Sequence, residues 1–401
     1  MAQQDLILFA STTGYQTRVF ADAAERAGAR LILATNHCHR LDDPWGDHAI
    51  AVKFHRIGWS LDALRGVRCD GILAVGDAPA VLAAEAGVAL GVPFHTPAAA
   101  RAAQDKSLAR SILQGKLPTP RFFEATDADA AIRAEYPCVL KPLGASASKG
   151  VIRANDEAEF RAAFARIRKM RETRIQVESY IPGREYAIEA LATNGRLTTL
   201  AIFDKPDPLE GPFFEETIYT TPSRAPESVQ RELVDTLEQA ARFLGLRHGP
   251  VHAELRHNDA GAWILEAHAR PIGGLCAGAL RFDEGVSLEE LLVRHALGQD
   301  VSGVRRESRA AGVMMIPIPR AGLYRSVGGV EEAEAVPGIE RVVITAQEGQ
   351  RLYPAPEGST YLGFIFARAD SSEEAEAALR RAHGCLRFDF APVLETLKPT
   401  A

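Results

Sequence analysis

The chain has 401 residues, of which 46% are hydrophobic and 24% charged, and its formal net charge at pH 7 is −6. This length predicts two or three domains, and the composition is that of a globular protein rather than a disordered or fibrous one. The sequence contains no basic block and no apolar run of 18 residues, so we expect neither nucleic acid nor membrane as a partner.

The cysteines are scattered, odd in number and without any CxxC pair. No basic segment of the kind that opens a signal peptide precedes the first predicted strand, which begins at residue 5. These features predict a cytoplasmic protein with reduced thiols and no disulfide framework. The cysteines are Cys38, Cys69, Cys138, Cys276 and Cys385.

The N-terminal segment has the pattern of a parallel α/β domain. Short apolar strands are expected at 5–10, 31–34 and 71–75. A turn and a helix follow the first strand, and an alanine-rich helix follows Gly76-Asp77. Strands that alternate with helices in this way predict a parallel sheet, and we place this domain at residues 1–97.

The middle of the chain, placed at residues 98–305, changes to a mixed pattern. Two short helices are expected on either side of Asp105-Lys106, followed by a linker at 115–120. Pro226 near the start and Gly245 past the end give one predicted helix the usual asymmetry of its two ends. The expected strands are 137–141, 150–154, one ending at 178 and 186–192, and the expected helices are 127–135, 156–171, 227–244 and 287–297.

The C-terminal region, residues 306–401, is predicted to be a small α+β domain. Short strands alternate there with turns that contain glycine and proline, and one polar helix precedes the last strand. The expected strands are 312–318, 339–345, 361–368 and 386–390, and the expected helix is 371–383.

The segment 249–271 predicts a β-hairpin with two opposed carboxylates. The turn signal Asp259-Ala260-Gly261 is typical of a three-residue loop with Gly261 in the left-handed conformation. In that register Glu254 pairs with Glu266, with Cβ atoms about 5 Å apart. Like charges directly opposite destabilise a hairpin, so the pair predicts a bound cation. Simple alternation places these residues of the second strand on one face: Ala262, Ile264, Glu266, His268 and Arg270.

A loop of small residues follows Lys141 at the end of a predicted strand. The loop contains Gly144, Ser146 and Ser148. Small residues let backbone N–H groups approach phosphate oxygens, and a lysine at the strand end can meet the same phosphates as a point charge. The loop does not match the P-loop pattern, and a flexible hairpin loop is an equally good interpretation of it alone.

The segment 178–186 could line a slot for adenine, with backbone groups of Tyr180 and Ile181 reading the purine edge. In that interpretation Glu185 accepts hydrogen bonds from ribose hydroxyls. Taken alone, the segment is better explained as a strand, a turn and a strand with surface acids. Lys106, taken alone, is the kind of helical lysine that is usually solvated.

In combination these residues resemble the ATP-grasp fold over residues 1–300. The order is Lys106, Lys141 with its loop, Glu178 to Glu185, and then the hairpin acids with Arg270 and Gly273-Gly274. The tail, from GLYRSVGGVEEAEAVPGIERVVI onwards, resembles the C-terminal domain of L-amino-acid ligases. The resemblance implies an α/β and α+β protein with a Rossmann-like pre-ATP-grasp domain, an ATP-grasp domain with a lid at about 118–190, and a small α+β C-terminal domain.

The resemblance also implies roles around the nucleotide. Lys106 and Lys141 would contact the α- and β-phosphates of ATP, and the loop 144–150 would close over the triphosphate. The residues that would contact adenine and ribose are Glu178, Tyr180, Ile181 and Glu185.

By the same resemblance Glu254 and Glu266 would hold two Mg²⁺ ions, with Mn²⁺ as an alternative, and Arg270 would steady the transferred phosphoryl group and a later oxyanion. Many family members have asparagine where this chain has His268, and Mg²⁺ prefers oxygen ligands. Two roles therefore stay open for His268, direct metal ligation or a hydrogen bond to a phosphate or the substrate. The remaining catalytic candidates are Lys141, Gly273 and Gly274.

The segment 204–223, rich in proline and acidic residues, is the candidate for substrate selection. A carboxylate here could bind the ammonium group of an amino acid, and Phe213 or Phe214 could form the wall of a side-chain pocket. A solvated ordered loop is an equally good interpretation. The charged candidates are Lys205, Glu215 and Glu216.

The predicted activity is that of an ADP-forming carboxylate–amine ligase that joins amino acids through an acylphosphate. One alternative is an ATP-grasp enzyme of purine biosynthesis, which would need a basic cluster for a phosphorylated substrate. A non-catalytic nucleotide-binding module is another alternative. The C-terminal domain could shape the pocket or form a homodimer. The first domain offers Arg18, Arg26, Arg30 and Arg40, which form no tight cluster in sequence.

Overall fold

The fold was analysed in a computed structural model that describes residues 3–11, 15–36 and 49–392. The chain divides into two compact units. Unit one comprises Met1–Pro120, Gly183–Asp204 and Ser223–Ser308, and unit two comprises Arg121–Pro182, Lys205–Pro222 and Arg309–Ala401. The three predicted domain boundaries stay a prediction. Part of the first predicted turn, Cys38 and Arg40 lie outside the described residues.

Unit one begins with a parallel sheet, as the sequence predicts. Its elements are β1 (Gln4–Ala10), α1 (Tyr15–Arg26), β2 (Ala29–Thr35), β3 (Ala49–Ala51), α2 (Ile57–Ala63), β4 (Gly71–Val75), α3 (Asp77–Leu90), α4 (Pro97–Gln104) and α5 (Lys106–Leu113). The strand order is β3-β2-β1-β4, and all pairs are parallel. β1 is buried from Asp5 to Ala10, as expected for a strand of a sheet whose faces are both covered by helices.

The first segment of unit two is a small antiparallel sheet packed on a helix. Its elements are β5 (Phe122–Ala125), a 3₁₀ helix (Ala128–Arg133), β6 (Cys138–Pro142), β7 (Ile152–Ala154), α6 (Glu157–Lys169) and β8 (Ile175–Ser179). The strand order is β5-β8-β6-β7. Phe160, Phe164 and Ile167 of α6 pack into the core of this segment. The helix expected at 127–135 is the short 3₁₀ turn instead, with Asp127 as its N-cap.

The chain then builds the antiparallel sheet of unit one. The elements are β9 (Arg184–Thr193), β10 (Arg196–Asp204), β11 (Ile218–Thr221, part of unit two), α7 (Glu227–Leu244), β12 (Gly249–Asn258), β13 (Gly261–His268), 3₁₀ turns at Cys276–Ala279 and Asp283–Gly285, and α8 (Leu288–Ala296). The order β13-β12-β9-β10 makes β12 a central strand. Helix α7 has the predicted bounds, and Gly245 closes it in the left-handed conformation at φ 78°.

The rest of unit two is the predicted α+β C-terminal segment. Its elements are β14 (Ala310–Ile316), β15 (Gly322–Gly328), α9 (Val330–Glu334), β16 (Ile339–Ile344), β17 (Arg351–Leu352), β18 (Gly363–Ala369), α10 (Ser372–Cys385) and β19 (Arg387–Ala391). Strands β11-β14-β18-β16 are neighbours in that order, and β17-β15-β19 form a second sheet. In the described part of the chain no helix combines the length and the apolar character that crossing a membrane requires.

Candidate active site

The two hairpin carboxylates face each other in unit one. Glu254 pairs with Glu266, which confirms the predicted register. The predicted three-residue loop is wrong, because Asn258 pairs with Gly261 and leaves a two-residue turn. A β-bulge compensates for the shorter turn: Leu255 pairs with Ile264, so one extra residue stands in β13 before Glu266.

Because of this bulge, the prediction that Ala262 and Ile264 share one face of the second strand with Glu266 and His268 is wrong. Ala262 and Ile264 are buried in the apolar core of unit one, together with Ala267. Glu266 and His268 lie on the opposite face from that core. An extra residue reverses the phase of side-chain alternation, so simple alternation holds on each side of the bulge but not across it.

His268 and Arg270 converge on Asp77, a residue that the sequence analysis did not select. The Asp77 carboxylate contacts His268 Nδ1 at 3.0 Å and accepts a hydrogen bond of 2.9 Å from Arg270 Nε. Burial alone would raise the pKa of Asp77, but the charges of Arg270 and His268 reverse the effect and lower it. Asp77 opens α3 directly after Gly76, at the carboxyl end of β4, and that position was the available sequence signal.

Both ring nitrogens of His268 contact carboxylates. Nδ1 faces Asp77, and Nε2 lies 3.0 Å from the Glu266 carboxylate. Burial would lower the pKa of His268, but the charge of Asp77 and hydrogen bonds to both carboxylates raise it. Both ring nitrogens therefore already have carboxylate partners, and the two predicted roles of His268 stay predictions.

A second histidine supports Glu254 from the strand interior. His252 Nε2 lies 3.6 Å from the Glu254 carboxylate, and its Nδ1 makes a short contact with Glu189. Glu189 also accepts a hydrogen bond of 3.1 Å from the backbone N–H of Ile272. Burial would lower the pKa of His252, but the charge of Glu189 raises it to about 9. The sequence analysis missed both residues, although His252 shares the face of Glu254 by simple alternation.

Lys106 lies beside a hairpin carboxylate and is not a fully solvated surface lysine. Its side chain is only 16% exposed, and its Nζ lies 3.9 Å from Glu266. Asp105 caps α5 by accepting hydrogen bonds from the backbone N–H groups of Ser107 and Leu108. The cap fixes the start of the helix, and with it the position from which Lys106 extends.

The acidic side chains in unit one fit a hard cation. Glu254 and Glu266 stand opposite each other, and their side chains are 23% and 22% exposed. A carboxylate oxygen of Glu185 lies within 4.8 Å of one from Glu254. Oxygen ligands at this spacing suit Mg²⁺ or Mn²⁺ better than a soft metal. Glu185 also accepts a hydrogen bond of 2.8 Å from Arg256, so its predicted contact with ribose stays a prediction.

Lys141 and Glu178 form a buried ion pair in unit two. Lys141 Nζ lies 2.8 Å from the Glu178 carboxylate, which also accepts a hydrogen bond of 2.7 Å from Gln176. The Glu178 side chain is 2% exposed, so the pair is held rigidly on neighbouring strands β6 and β8. Glu178 therefore positions Lys141, and its predicted contact with adenine stays a prediction, as does that of the buried Ile181.

The small-residue loop after Lys141 has an unusual backbone. Ala147 and Ser148 both adopt φ near 53°, a left-handed conformation that few non-glycine residues take. A Cβ on Gly144 would stand 2.7 Å from a carboxylate oxygen of Glu172, so only glycine fits there without a shift. The predicted phosphate contacts of this loop, including those of Ser146, stay predictions. Nearby, Tyr180 packs under the guanidinium of Arg153 at 4.1 Å.

The segment predicted to select the substrate is an ordered loop of unit two. Lys205 donates a hydrogen bond of 2.5 Å to Glu216, so these two opposite charges meet within the loop. Phe213 packs under Arg166, 4.9 Å from its guanidinium, and forms a β-bridge with Ile152. Burial raises the pKa of Glu215. The predicted substrate contacts of this loop stay predictions.

Two of the arginines considered for a phosphorylated substrate are already paired. Arg26 bonds to Glu290, and Arg30 forms a bidentate pair with Asp5. These pairs make Arg26 and Arg30 weak candidates for a phosphate site.

Comparisons with known proteins agree with this geometry. A model of the ATP-grasp domain matches residues 134–279, and a model of the L-amino acid ligase C-terminal domain 2 matches residues 314–391. The crystal structure of an L-amino acid ligase from Bacillus licheniformis superposes with a TM-score of 0.82 and 26% identity, covering 98% of this chain and 100% of that one.

Other relatives share parts of the chain or the fold. Carnosine synthase 1 of Gallus gallus is 28% identical over 307 residues, 69% of this chain and 32% of that protein. The chain spans less than two thirds of this relative and of an uncharacterized Sinorhizobium fredii protein, of which it covers 64%. N5-carboxyaminoimidazole ribonucleotide synthetase from Thermotoga maritima shares the fold, with a TM-score of 0.72, 16% identity and 97% and 100% coverage.

These matches confirm the predicted resemblance and fold class. Residues 134–279 match the ATP-grasp domain and residues 314–391 match the L-amino acid ligase C-terminal domain 2, and the whole chain has the fold of an L-amino acid ligase.

Proposed function

We propose that the protein is an ATP-dependent, ADP-forming ligase that joins the carboxyl group of one amino acid to the amino group of another. The observation that carries the proposal is the constellation in unit one, where Glu254 opposes Glu266 and Asp77 holds Arg270. The similarity to an L-amino acid ligase and to carnosine synthase 1 supports this class of product.

The acidic pair fits two Mg²⁺ ions, with Mn²⁺ as an alternative. Glu254 and Glu266 would hold the metal, since both offer carboxylate oxygens from one face of the hairpin. Bound Mg²⁺ neutralises phosphate charge and aligns the phosphates for in-line transfer. His268, engaged by Asp77 and Glu266, would orient the Glu266 carboxylate rather than ligate the metal.

The proposed reaction has two steps. A carboxylate oxygen of the first amino acid attacks the γ-phosphorus of ATP, the bond from phosphorus to ADP breaks, and an acylphosphate forms. The amine of the second amino acid then attacks the acyl carbon, the bond to phosphate breaks, and the amine loses one proton. Neither step needs a covalent enzyme intermediate. The residues proposed for the site would act by stabilising charge rather than by nucleophilic attack.

The basic side chains supply fixed positive charge for these steps. Arg270, oriented by Asp77, would face the transferred phosphoryl group and the later oxyanion. Lys106 and Lys141 would contact the α- and β-phosphates, each in a position set by a carboxylate partner. Gly273 and Gly274 would leave their backbone open to substrate, and a Cβ on Gly273 would meet no atom within 4 Å.

Release of inorganic phosphate from ATP across pairs of amino acids, with product masses determined, tests the proposal. We expect ADP, phosphate and a dipeptide from at least one pair, and little ATP consumption without an amino acid. AMP and pyrophosphate as products would contradict the proposal. Phosphate release that requires a phosphorylated ribonucleotide would replace it with the purine alternative, and no turnover with any substrate would favour a nucleotide-binding module.

A further inference from the structure

Unit one contains a cavity of about 630 Å³ that the proposed chemistry does not use. The cavity lies at the carboxyl ends of the parallel strands. Asn36 directly follows β2, Lys53 follows β3, and Ala78 stands in the first turn of α3 after β4. Open α/β sheets bind their ligands at this edge, because the chain leaves each strand there as a loop that can carry polar groups.

The lining of this cavity is basic. Lys53, His55 and Arg56 line it, and no carboxylate is among its described lining residues. All three side chains are exposed, and the described part of the chain places no carboxylate in an ion pair with Lys53 or Arg56. Lys53 instead stands over the ring of Trp59, 5.1 Å from its centroid. The cavity therefore concentrates positive charge that no described carboxylate neutralises.

A second cavity, of about 520 Å³, has a lining whose cations have partners within the fold. It lies in unit two and is lined by Arg153 and Arg166, among others. Arg166 forms a bidentate ion pair with Glu357, and Arg153 donates to Asn155 and to the backbone carbonyl of Glu210. Basic lining residues in this protein can thus be paired within the fold, whereas no carboxylate among the described residues pairs with Lys53 or Arg56.

Two lining residues of the unit-one cavity are neighbours in sequence of residues with a proposed role in the reaction. Ala78 follows Asp77, which holds Arg270, and Gln104 precedes Lys106 by two residues. A ligand in the cavity would therefore lie beside the groups that are proposed to activate the carboxylate. Phe54 and Val81 add apolar surface that could cover a carbon skeleton.

We propose that this cavity is a substrate subsite that binds an oxyanion group, a carboxylate or a phosphate, on one of the two molecules that are ligated. The description of the bound molecule as a substrate rests on the proposed ligase function, but its binding can be measured without turnover. Lys53 and Arg56 supply the charge, and the amides of Asn36 and Gln104 can donate hydrogen bonds to the same oxygens.

Calorimetric titration of the ATP-free protein with pairs of probes that differ by one oxyanion group tests the proposal. The pairs are L-alanine and L-alaninamide, L-glutamate and L-glutamine, and ribose 5-phosphate and ribose. We expect the member that carries the additional oxyanion group to bind more tightly in one pair, and that pair identifies an α-carboxylate, a side-chain carboxylate or a phosphate as the recognised group. Equal binding within all three pairs would overturn the proposal.

The double variant Lys53→Gln, Arg56→Gln tests which residues recognise the anion. We expect it to bind the preferred anion about tenfold or more weakly, the scale of losing a charged hydrogen bond. Its KM for that substrate should rise equally while kcat and the KM for ATP stay unchanged. The control Arg231→Gln, Arg242→Gln removes two exposed charges from α7 of the same unit and should leave binding unchanged.

The outcomes separate this proposal from the ligase proposal. Loss of anion binding in the double variant, in a protein that releases no phosphate with any amino-acid pair, would keep the subsite and remove the ligase function. Dipeptide formation with an unchanged substrate KM in the double variant would keep the ligase function and overturn the subsite. An unchanged midpoint of thermal unfolding establishes that the variant is folded in either case.

Discussion

Asp77 and Arg270 are 193 residues apart in the chain, yet the Asp77 carboxylate accepts a hydrogen bond of 2.9 Å from Arg270 Nε. The same carboxylate oxygen lies 3.0 Å from His268 Nδ1. A residue at the start of α3 therefore orients two groups at the end of the hairpin, and both belong to unit one. The residue that orients the Arg270 guanidinium therefore lies outside the hairpin.

Removal of a charge from the hairpin should abolish most of the turnover. We expect Arg270→Ala and Glu266→Ala each to lower kcat by at least ~10²-fold, the scale of losing one preorganised charged contact in an active site. The measurement is phosphate release under saturating ATP and amino acids. Arg242→Ala, an exposed change on α7, serves as the control. Near-normal turnover in both hairpin variants would remove the hairpin from the active site.

Asp77→Asn should reveal how much the orientation of Arg270 matters. The amide keeps the size of the side chain but loses the negative charge that pairs with the Arg270 guanidinium. We expect kcat to fall by roughly 10- to 100-fold, with the KM for ATP little changed, since the nucleotide does not need Asp77 directly. Asp62→Asn, at an exposed pair with Arg65, is the matched control. An equal fall in kcat in both variants would argue against an orienting role.

Unit one should lose stability in acid through buried histidines. Burial lowers the pKa of His95 and of His295 to about 4. His95 is held as the neutral tautomer, because Nδ1 accepts from the backbone N–H of Arg247 and Nε2 faces the carbonyl of Pro250. Unfolding restores a pKa near 6.5, so the unfolded chain binds more protons between about pH 4 and 6.5.

The contribution of these two histidines to the free energy of unfolding should therefore be complete above pH 6.5 and should decrease as the pH drops towards 4. Each histidine contributes about 1.4 kcal/mol per pH unit to the slope where only the unfolded state is protonated. Urea unfolding at pH 7, 6 and 5 measures the slope. His295→Asn should reduce it by one of these contributions, and an unchanged slope in that variant would show that His295 is not neutral in the folded protein.

Lys141→Met should weaken ATP binding more than it weakens the chemical step. The Lys141 ammonium is fixed by the buried Glu178, and its proposed partners are the phosphates of the nucleotide. We expect the KM for ATP to rise about tenfold or more, the scale of a lost charged hydrogen bond. Removal of the lysine also leaves Glu178 without its cation, so a loss of stability on the order of 3 kcal/mol should accompany it.

Two measurements separate those effects. Lys169→Met, at an exposed position of α6, should change neither ATP affinity nor stability. Glu178→Gln should rescue part of the stability of Lys141→Met, because it removes the unpaired buried charge, but it should not restore ATP affinity. Full recovery of ATP affinity in the double variant would show that Lys141 does not contact the nucleotide.

Glu216→Gln should raise the KM for the amino-acid substrate if the loop between β10 and β11 selects it. Glu216 meets Lys205 at 2.5 Å, so an incoming ammonium group would compete with this lysine for the carboxylate. We expect a rise of several-fold, a modest loss because the site is partly exposed. Glu210→Gln, an exposed change in the same loop, is the control. An unchanged KM in Glu216→Gln would remove the loop from substrate recognition.

Short-range patterns predicted much of the fold because their physical causes are local. Apolar runs that alternate with helices indicated the parallel sheet, and Pro226 and Gly245 marked both ends of α7. The predicted pairing of Glu254 with Glu266 is correct, although the turn is one residue shorter than predicted and a bulge restores the register. The order of the charged motifs along the chain then predicted the resemblance to the ATP-grasp fold, because a shared fold carries its site residues in the same order.

Only the tertiary structure decided how that site is supported. Asp77 reaches Arg270 across 193 residues, and Glu189 on β9 reaches His252 on β12. The bulge before Glu266, which restores the register after a shorter turn, left no mark in the spacing of apolar residues. Side-chain periodicity and turn propensity report on neighbours within a few residues. Which distant carboxylate meets which cation depends on how strands pair and helices pack, and these contacts form only in the folded chain.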